Sequence, residues 1–363
     1  ARGQRDCEIK KMNYLNARLK NLTAYQPGEQ PSDGGYIKLN TNENPYTPSR
    51  YAVSNMGVED VENLRLYSDP ECRKLCSAIA EFYGVEKRNV LTANGSDEVL
   101  AFCFAGFCDC GAVFPDVTYG FYRVFAGLFG VNYDIIGLAP DFTVRAEDYF
   151  NCGKTIFLAN PNAQTGIYLP LAEIGKILKN NPNNVVVIDE AYIDFGGESA
   201  VSLIDKYKNL IVVQTFSKSR SLAGARVGFA VADEGLIRGL KQVKYSFNPY
   251  NVNSLSARIA TFAVNDTQYF GECKAKIIKT RKRLINGLKE LGFSCLPSTA
   301  NFVLAEHVSI SGEELYIKLK ERGILVRHFN EERIKNFVRI TVGTDADTNI
   351  LLKTLEGILN EKV

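Results

Sequence analysis

Histidine is almost missing from this chain: there are two in 363 residues, His307 and His328. So sparse a supply weakens any serine–histidine or cysteine–histidine nucleophile pair and nearly excludes a multi-histidine metal site. A charge imbalance is missing too. The 43 lysines and arginines meet 41 aspartates and glutamates, a formal net charge of +2. That balance argues against nucleic acid or an anionic membrane as the main partner, because both select clustered basic surface. No apolar run approaches the length of a membrane span. The opening ARGQRDCEIKKMN is charged and lacks the apolar centre of a secretory signal. Met12 is a candidate native start, which leaves residues 1–11 outside the fold argument. There is no tandem repeat, low-complexity tract, Walker A sequence or dinucleotide GxGxxG. The nine cysteines, odd in number and scattered, fit reduced thiols of a cytoplasmic protein better than a disulfide framework. Cys103, Cys108 and Cys110 lie among Phe, Ala and Gly with no histidine near, which fits small apolar filler and no metal. The chemistry left must run on Lys, Asp, Tyr, Arg and Asn, or on a cofactor.

What is present is an ordinary globular composition, 45% hydrophobic and 23% charged, enough for one large domain and a smaller one. Short β-branched runs occupy Thr155–Ala159, Val185–Ile188, Ile211–Val213 and Gly228–Ala232, with helical stretches such as LAEIGKILKN between. Continuous apolar strands alternating with helices predict a mostly parallel sheet covered on both faces. Ligands of such sheets gather at the C-terminal strand ends. Three of these runs stop there at polar motifs: NPNAQTG, Asp189-Glu190-Ala191-Tyr192 and TFSKS. Two earlier turns join them. Val90 and Leu91 end a short strand before Asn94-Gly95-Ser96, where a helix start offers free N–H groups to phosphate. Ala112–Phe114 precedes Tyr119-Gly120, a ring able to lie flat against a planar ligand. Leu15–Leu22 reads as a short helix leading into an irregular arm that carries Tyr25. In RLYSDPECRKLCSAIAEFYG, Asp69 is the expected N-cap with Pro70 at the first helical position, and Gly84 the stop. Tyr67 projects from the loop before it. Residues 251–291 read as helical, and the last 70 or so alternate strand and helix as a compact α+β unit.

Individual residues sharpen this. Lys218 stands just past a buried strand, beside Ser217 and ahead of Arg226. A lysine so placed suits a covalent bond to an aldehyde, with Ser217 and Arg226 holding a phosphate. The bland alternative is a solvated turn with three incidental cations, Lys218, Arg220 and Arg226. Asp189 follows four apolar strand residues, so its carboxylate is nearly buried and needs a partner. That partner is either a protonated ring nitrogen or the next turn, which Asp189 would cap. Tyr192 is placed to reach the same ligand. Arg327 and Arg339 lie within strands, as structural ion pairs or as receptors for anionic substrate groups.

In matching order, LTAYQPGEQ, LNTNENPY, YSDPEC, NGSDE, TYGFY, NPNAQTG, VIDEAYIDF, TFSKSRSLAGARVGF, ILVR and VRITVG resemble fold type I pyridoxal-phosphate enzymes of the aspartate aminotransferase superfamily. The resemblance runs over nearly the whole chain from Leu15. It implies an α/β fold: a large domain with a mostly parallel seven-stranded sheet and a small α+β C-terminal domain. The boundaries expected are an arm at 1–45, a large cofactor domain at 46–255 and a small domain at 256–363. It implies pyridoxal 5'-phosphate as cofactor, Lys218 as its covalent anchor and proton carrier, and Asp189 at the ring nitrogen. Tyr192 is implied at the ring oxygen and Tyr119 stacked on the ring. Ser96, Asp97, Ser217 and Arg226 are implied at the phosphate, with Tyr67 of a second subunit, which makes a homodimer with shared active sites. Arg339 is implied at a substrate α-carboxylate, and Tyr25 and Arg327 at a distal phosphate. The activity implied is amino transfer between a phosphorylated amine, histidinol phosphate, and 2-oxoglutarate. A threonine-phosphate decarboxylase-like lyase or an aromatic amino acid aminotransferase on the same scaffold stays open. A non-catalytic regulator fits poorly, since the lysine is present and no DNA-binding module is expected before Leu15 or after the last helix. One departure stands out. Where the family has an asparagine before proline, this chain has Ala163-Gln164, so Asn162 is the expected replacement at the ring oxygen.

Overall fold

The structure is a computed structural model that describes residues 14–16, 19, 20, 22–31 and 34–361. Met12, and part of the helix expected over Leu15–Leu22, lie outside the described residues. Strand β1 (Ile37–Lys38) follows the arm. Next come β2 (Val90–Ala93), β3 (Ala112–Pro115), β4 (Tyr133–Ile136), β5 (Thr155–Ala159), β6 (Val186–Asp189), β7 (Leu210–Thr215) and β8 (Gly228–Ala232). The C-terminal part adds β9 (Phe293–Cys295), β10 (Phe302–His307), β11 (Ile324–Leu325), β12 (Arg327–His328) and β13 (Phe337–Thr341). The helices are α1 (Arg50–Ser54), α2 (Val58–Glu62), α3 (Arg73–Tyr83), α4 (Ser96–Phe107), α5 (Phe121–Phe129) and α6 (Leu171–Lys179). They continue as α7 (Glu234–Phe247), α8 (Ser254–Asn265), α9 (Thr267–Glu290), α10 (Gly312–Glu321) and α11 (Asp345–Asn360). None of the described helices is long and apolar enough to cross a membrane.

The seven-stranded sheet runs β2-β8-β7-β6-β5-β3-β4, with β8 antiparallel to both neighbours and the other pairs parallel. Its apolar runs are continuous because both faces are buried. Ile156, Leu158, Val186, Ile188 and Val212 face a core shared with α3 and α8. Phe157, Val187, Ile211 and Val213 face one shared with α4, α5 and α7. A four-stranded antiparallel sheet, β12-β13-β10-β9, carries the second unit, and β1 pairs with β11 beside it. Its core takes Ile277 and Leu284 from α9, Leu315 from α10 and Leu355 from α11. Helix α8 packs with the large sheet, through Ala260, Ala263 and Val264, and the small-sheet core begins on α9.

Three local expectations change. Val90 begins β2, which runs on to Ala93, so the glycine turn directly follows a longer strand. β6 extends through Asp189, which pairs with Ala159 and Val213 inside the sheet. Helix α3 starts at Arg73, with Cys72 in the left-handed region at φ +43° as its N-cap. Asp69 does not sit at the cap position. Its carboxylate instead closes a preceding turn, accepting from Glu71 N at 3.1 Å and from Arg73 N at 2.9 Å. Cys103 and Cys108 are buried filler, whereas Cys110 is exposed.

Candidate active site

The C-terminal ends of β2, β5, β6 and β7 reach one edge of the large sheet, where β8 begins. Ala93 and Thr215 both pair with Gly228, and Asp189 lies between Ala159 and Val213. A cavity of about 400 Å³ opens at that edge and is closed on the far side by the arm and the small sheet. Tyr25, Ser96, Asp97, Tyr119, Asp189 and Tyr192 line it, and so do Ser217, Lys218, Arg226, Arg327 and Arg339.

One end of the cavity is built for an anion. The N-terminus of α4 has no side-chain cap, so its first N–H groups and the positive end of its dipole face the cavity edge. Ser217 Oγ accepts from Thr215 Oγ1 at 2.9 Å, and Arg226 Nη1 approaches Ser217 Oγ at 3.4 Å. Arg226 Nη2 also reaches Asp97 Oδ2 at 3.2 Å, while Tyr119 donates to Asp97 Oδ1 at 2.7 Å. Glycine is required at two points of this arrangement. Gly95 has φ +82°, and a Cβ there would lie 2.5 Å from the Arg226 guanidinium. A Cβ at Gly228 would collide with the backbone nitrogen of Ser96.

The middle of the cavity is lined by an amine and a buried carboxylate. Burial, then the Arg339 charge, lowers the Lys218 ammonium to about 8. Its Nζ donates to Thr41 O at 3.0 Å. Asp189 is pushed up to about 7 by burial, against hydrogen bonds from Tyr122 and from Ala191 N. Tyr122 Oη donates to Asp189 Oδ2 at 3.0 Å, and Ala191 N to Oδ1 at 3.2 Å. Tyr192 Oη accepts from Asn42 Nδ2 at 3.1 Å. Burial raises the Tyr192 and Tyr119 phenols, so both remain protonated donors.

The side opposite the sheet edge is formed by the arm and the small sheet. Arg327 on β12 and Arg339 on β13 are register partners. Arg327 donates to the arm carbonyls of Gln26 at 3.0 Å and Pro27 at 3.3 Å. Tyr25 stacks on Phe121 with centroids 4.3 Å apart and flanks Tyr119 at 6.2 Å.

Two of the expected residues are not in this cavity. Asn162 is consumed by its own loop: Nδ2 donates to Val117 O at 2.9 Å, and Oδ1 accepts from Gln164 N at 3.0 Å and Thr165 N at 3.1 Å. Ala163 and Gln164 line the cavity in its place. Asn162 therefore does not reach the cavity, contrary to the expectation that it takes over at the ring oxygen, whereas Tyr192 lines it. Tyr67 is 84% exposed, outside the cavity of its own chain, and stacks on Tyr250 at 4.5 Å. Sequence reasoning passed over Asn42, Tyr122 and Gln164. All three stand inside motifs already singled out, LNTNENPY, TYGFY and NPNAQTG.

Together these groups define a class: an α/β enzyme whose lysine amine, buried carboxylate and anion cradle fit the aldehyde, ring nitrogen and phosphate of pyridoxal 5'-phosphate. The model of the family described as aminotransferase class I and II matches residues 35–355. The chain belongs to that family, and it is a pyridoxal-phosphate-dependent transaminase. It is 48% identical over 350 residues to the histidinol-phosphate aminotransferase of Brachyspira hyodysenteriae, spanning 96% of this chain and 99% of that protein. The crystal structure of the histidinol-phosphate aminotransferase from Clostridium acetobutylicum superposes with a TM-score of 0.84 at 26% identity, over 90% of this chain and 99% of that one. The histidinol-phosphate aminotransferase from Sinorhizobium meliloti, solved in complex with pyridoxal-5'-phosphate, shares the fold at a TM-score of 0.85 and 20% identity, over 98% of this chain and 100% of that one.

Proposed function

We propose that this transaminase moves an amino group between histidinol phosphate and 2-oxoglutarate, giving imidazole acetol phosphate and glutamate. The observation that carries the reading is the pair Arg327 and Arg339. They are neighbours across β12 and β13 and both face the cavity. Among the described residues neither forms an ion pair with a carboxylate. Two guanidinium groups without acidic partners suit substrates that carry a phosphate or two carboxylates.

When bound, the cofactor supplies an aldehyde that takes up the amine and a ring that accepts the electron pair of the broken Cα–H bond. Lys218 would hold the cofactor and would carry the proton, for which an amine lowered to about 8 is suited. Asp189 holds negative charge where the ring nitrogen carries its proton. Tyr122 and Ala191 N keep that carboxylate in one orientation. Tyr192, held by Asn42, offers a hydroxyl to the ring oxygen. Tyr119, tied to Asp97, would lie against the ring face. Incubation with histidinol phosphate and 2-oxoglutarate is expected to release glutamate in step with substrate loss. Carbon dioxide release from a phosphorylated amino acid, without glutamate, would transfer the assignment to a lyase.

The same reading makes the enzyme a homodimer. Val58, Val61, Leu64, Leu66 and Tyr67 are exposed along one short stretch, which supports an apolar contact with a second copy. Tyr67 then meets the cofactor phosphate of the other subunit. Mixing inactive Lys218→Ala chains with Tyr67→Ala chains is expected to restore activity in hybrids, where one site receives both native residues. Mixtures no more active than the sum of the parents would remove Tyr67 from the shared site.

A further inference from the structure

The hydrogen-bond acceptors around Arg339 are neutral, and a single side chain supplies one of them. The guanidinium lies between Phe302 and Phe329, with its central carbon 5.2 Å from each ring centroid. Nη1 donates to Ala163 O at 3.1 Å and to Gln164 Oε1 at 3.0 Å, and Nη2 reaches Asn40 O at 3.4 Å. Nε is buried without a partner. Two of the three acceptors are backbone carbonyls, which any sequence supplies. Gln164 is the one acceptor that a substitution can alter.

Gln164 is placed firmly. It is 5% exposed and lines the cavity. Its backbone N–H donates to Asn162 Oδ1 at 3.0 Å, and Asn162 is anchored in turn on Val117 O. A cation at Nη1 requires the amide oxygen to face it, which turns the amide nitrogen away. Among the described residues that nitrogen has no hydrogen-bond partner. The amide thus orients Arg339 without cancelling its charge and keeps two N–H donors for something else. A carboxylate in the same place would form a charge-assisted pair and neutralise the receptor. A proline would remove both the side-chain acceptor and the N–H that Asn162 receives.

We propose that Gln164 is a specificity-determining residue for the anionic end of the substrate: it aligns Arg339 and adds its amide nitrogen as a second donor to the phosphate or carboxylate received there. This rests on the reading of Arg339 as the anion receptor, and the experiment separates the two. Binding of succinate and of inorganic phosphate to the holoenzyme is measured by calorimetry for the wild type, Gln164→Met, Gln164→Glu and Arg339→Met. Loss of one hydrogen bond to a charged group predicts about tenfold weaker binding for Gln164→Met. The neutralised receptor predicts about a hundredfold for Gln164→Glu. That order is the signature of charge, because glutamate has the shape of glutamine and a packing role would make it the milder change. Weakening of succinate alone assigns the receptor to carboxylates; weakening of phosphate alone assigns it to phosphate. If Arg339→Met abolishes binding while both Gln164 variants stay within about twofold of wild type, the proposal fails and the receptor stands. If Arg339→Met binds like wild type, the receptor reading fails and takes the proposal with it. Should Gln164→Glu not fold, the Gln164→Met value decides.

Discussion

Replacing Lys218 with alanine is expected to lower turnover by about 10⁴-fold and to abolish the cofactor adduct that borohydride traps on the chain. The magnitude follows from two roles in one amine. On the proposed reading Lys218 is the covalent anchor, and among the described lysines it is the one that lines the cavity. Its position at the sheet edge is set by β7, whose last residue, Thr215, precedes it by three. Burial, with Arg339 second, lowers its ammonium to about 8. The sign of the pH dependence follows. Below about pH 8 the amine carries a proton and cannot attack an aldehyde or take a proton from substrate; above it, the neutral form dominates. The rate at which the cofactor-free enzyme takes up the aldehyde should therefore rise with pH and level off beyond about 8. Peptide mass analysis after reduction should place the pyridoxyl group on Lys218. An adduct on any other lysine would overturn the assignment.

Asp189→Ala is expected to cost about 10³-fold in kcat/KM and to weaken cofactor retention. An isolated buried carboxylate resists ionisation, and Asp189 is pushed up to about 7 for that reason. A protonated ring nitrogen beside it reverses the balance, because an opposite charge at contact distance favours the ionised form. Removing the carboxylate leaves that cation buried and uncompensated, which is why the loss approaches about 3–5 kcal/mol. Asp189→Asn keeps the shape, its oxygen accepting from Ala191 N while its amide donates to a turned Tyr122 hydroxyl, so it isolates the charge. Both variants should also release cofactor faster on dialysis. An Asp189→Asn enzyme within about tenfold of wild type would show that the charge is not used.

Much of this was legible in the residues. The β-branched runs at Thr155–Ala159 and Gly228–Ala232 coincide with β5 and β8, because strands buried on both faces leave a continuous apolar signal. The glycine turn before Ser96 was readable because one position demanded a positive φ and the helix after it began with polar residues. Lys218, Asp189 and Tyr192 announced themselves as polar residues at the ends of such runs. Asn162 was misjudged for a reason of the opposite kind. An asparagine in a loop has a donor and an acceptor to spend, and nothing in the one-dimensional pattern says whether the loop or the cavity takes them. Asp69 shows the same competition: its carboxylate closes a turn and is not the helix cap.

The chain by itself therefore determined the class of fold, the sheet edge and the residue types that meet there, because those follow from hydrophobic periodicity and from the cost of burying charge. Which side chains brace the cavity's residues was decided only in three dimensions. Tyr122 sits under Asp189, Asn42 holds Tyr192 from 150 residues away, and Gln164 faces Arg339 across 175. Hydrogen bonds are short and directional, so a pairing between segments so distant in sequence exists only once the two sheets have packed against each other.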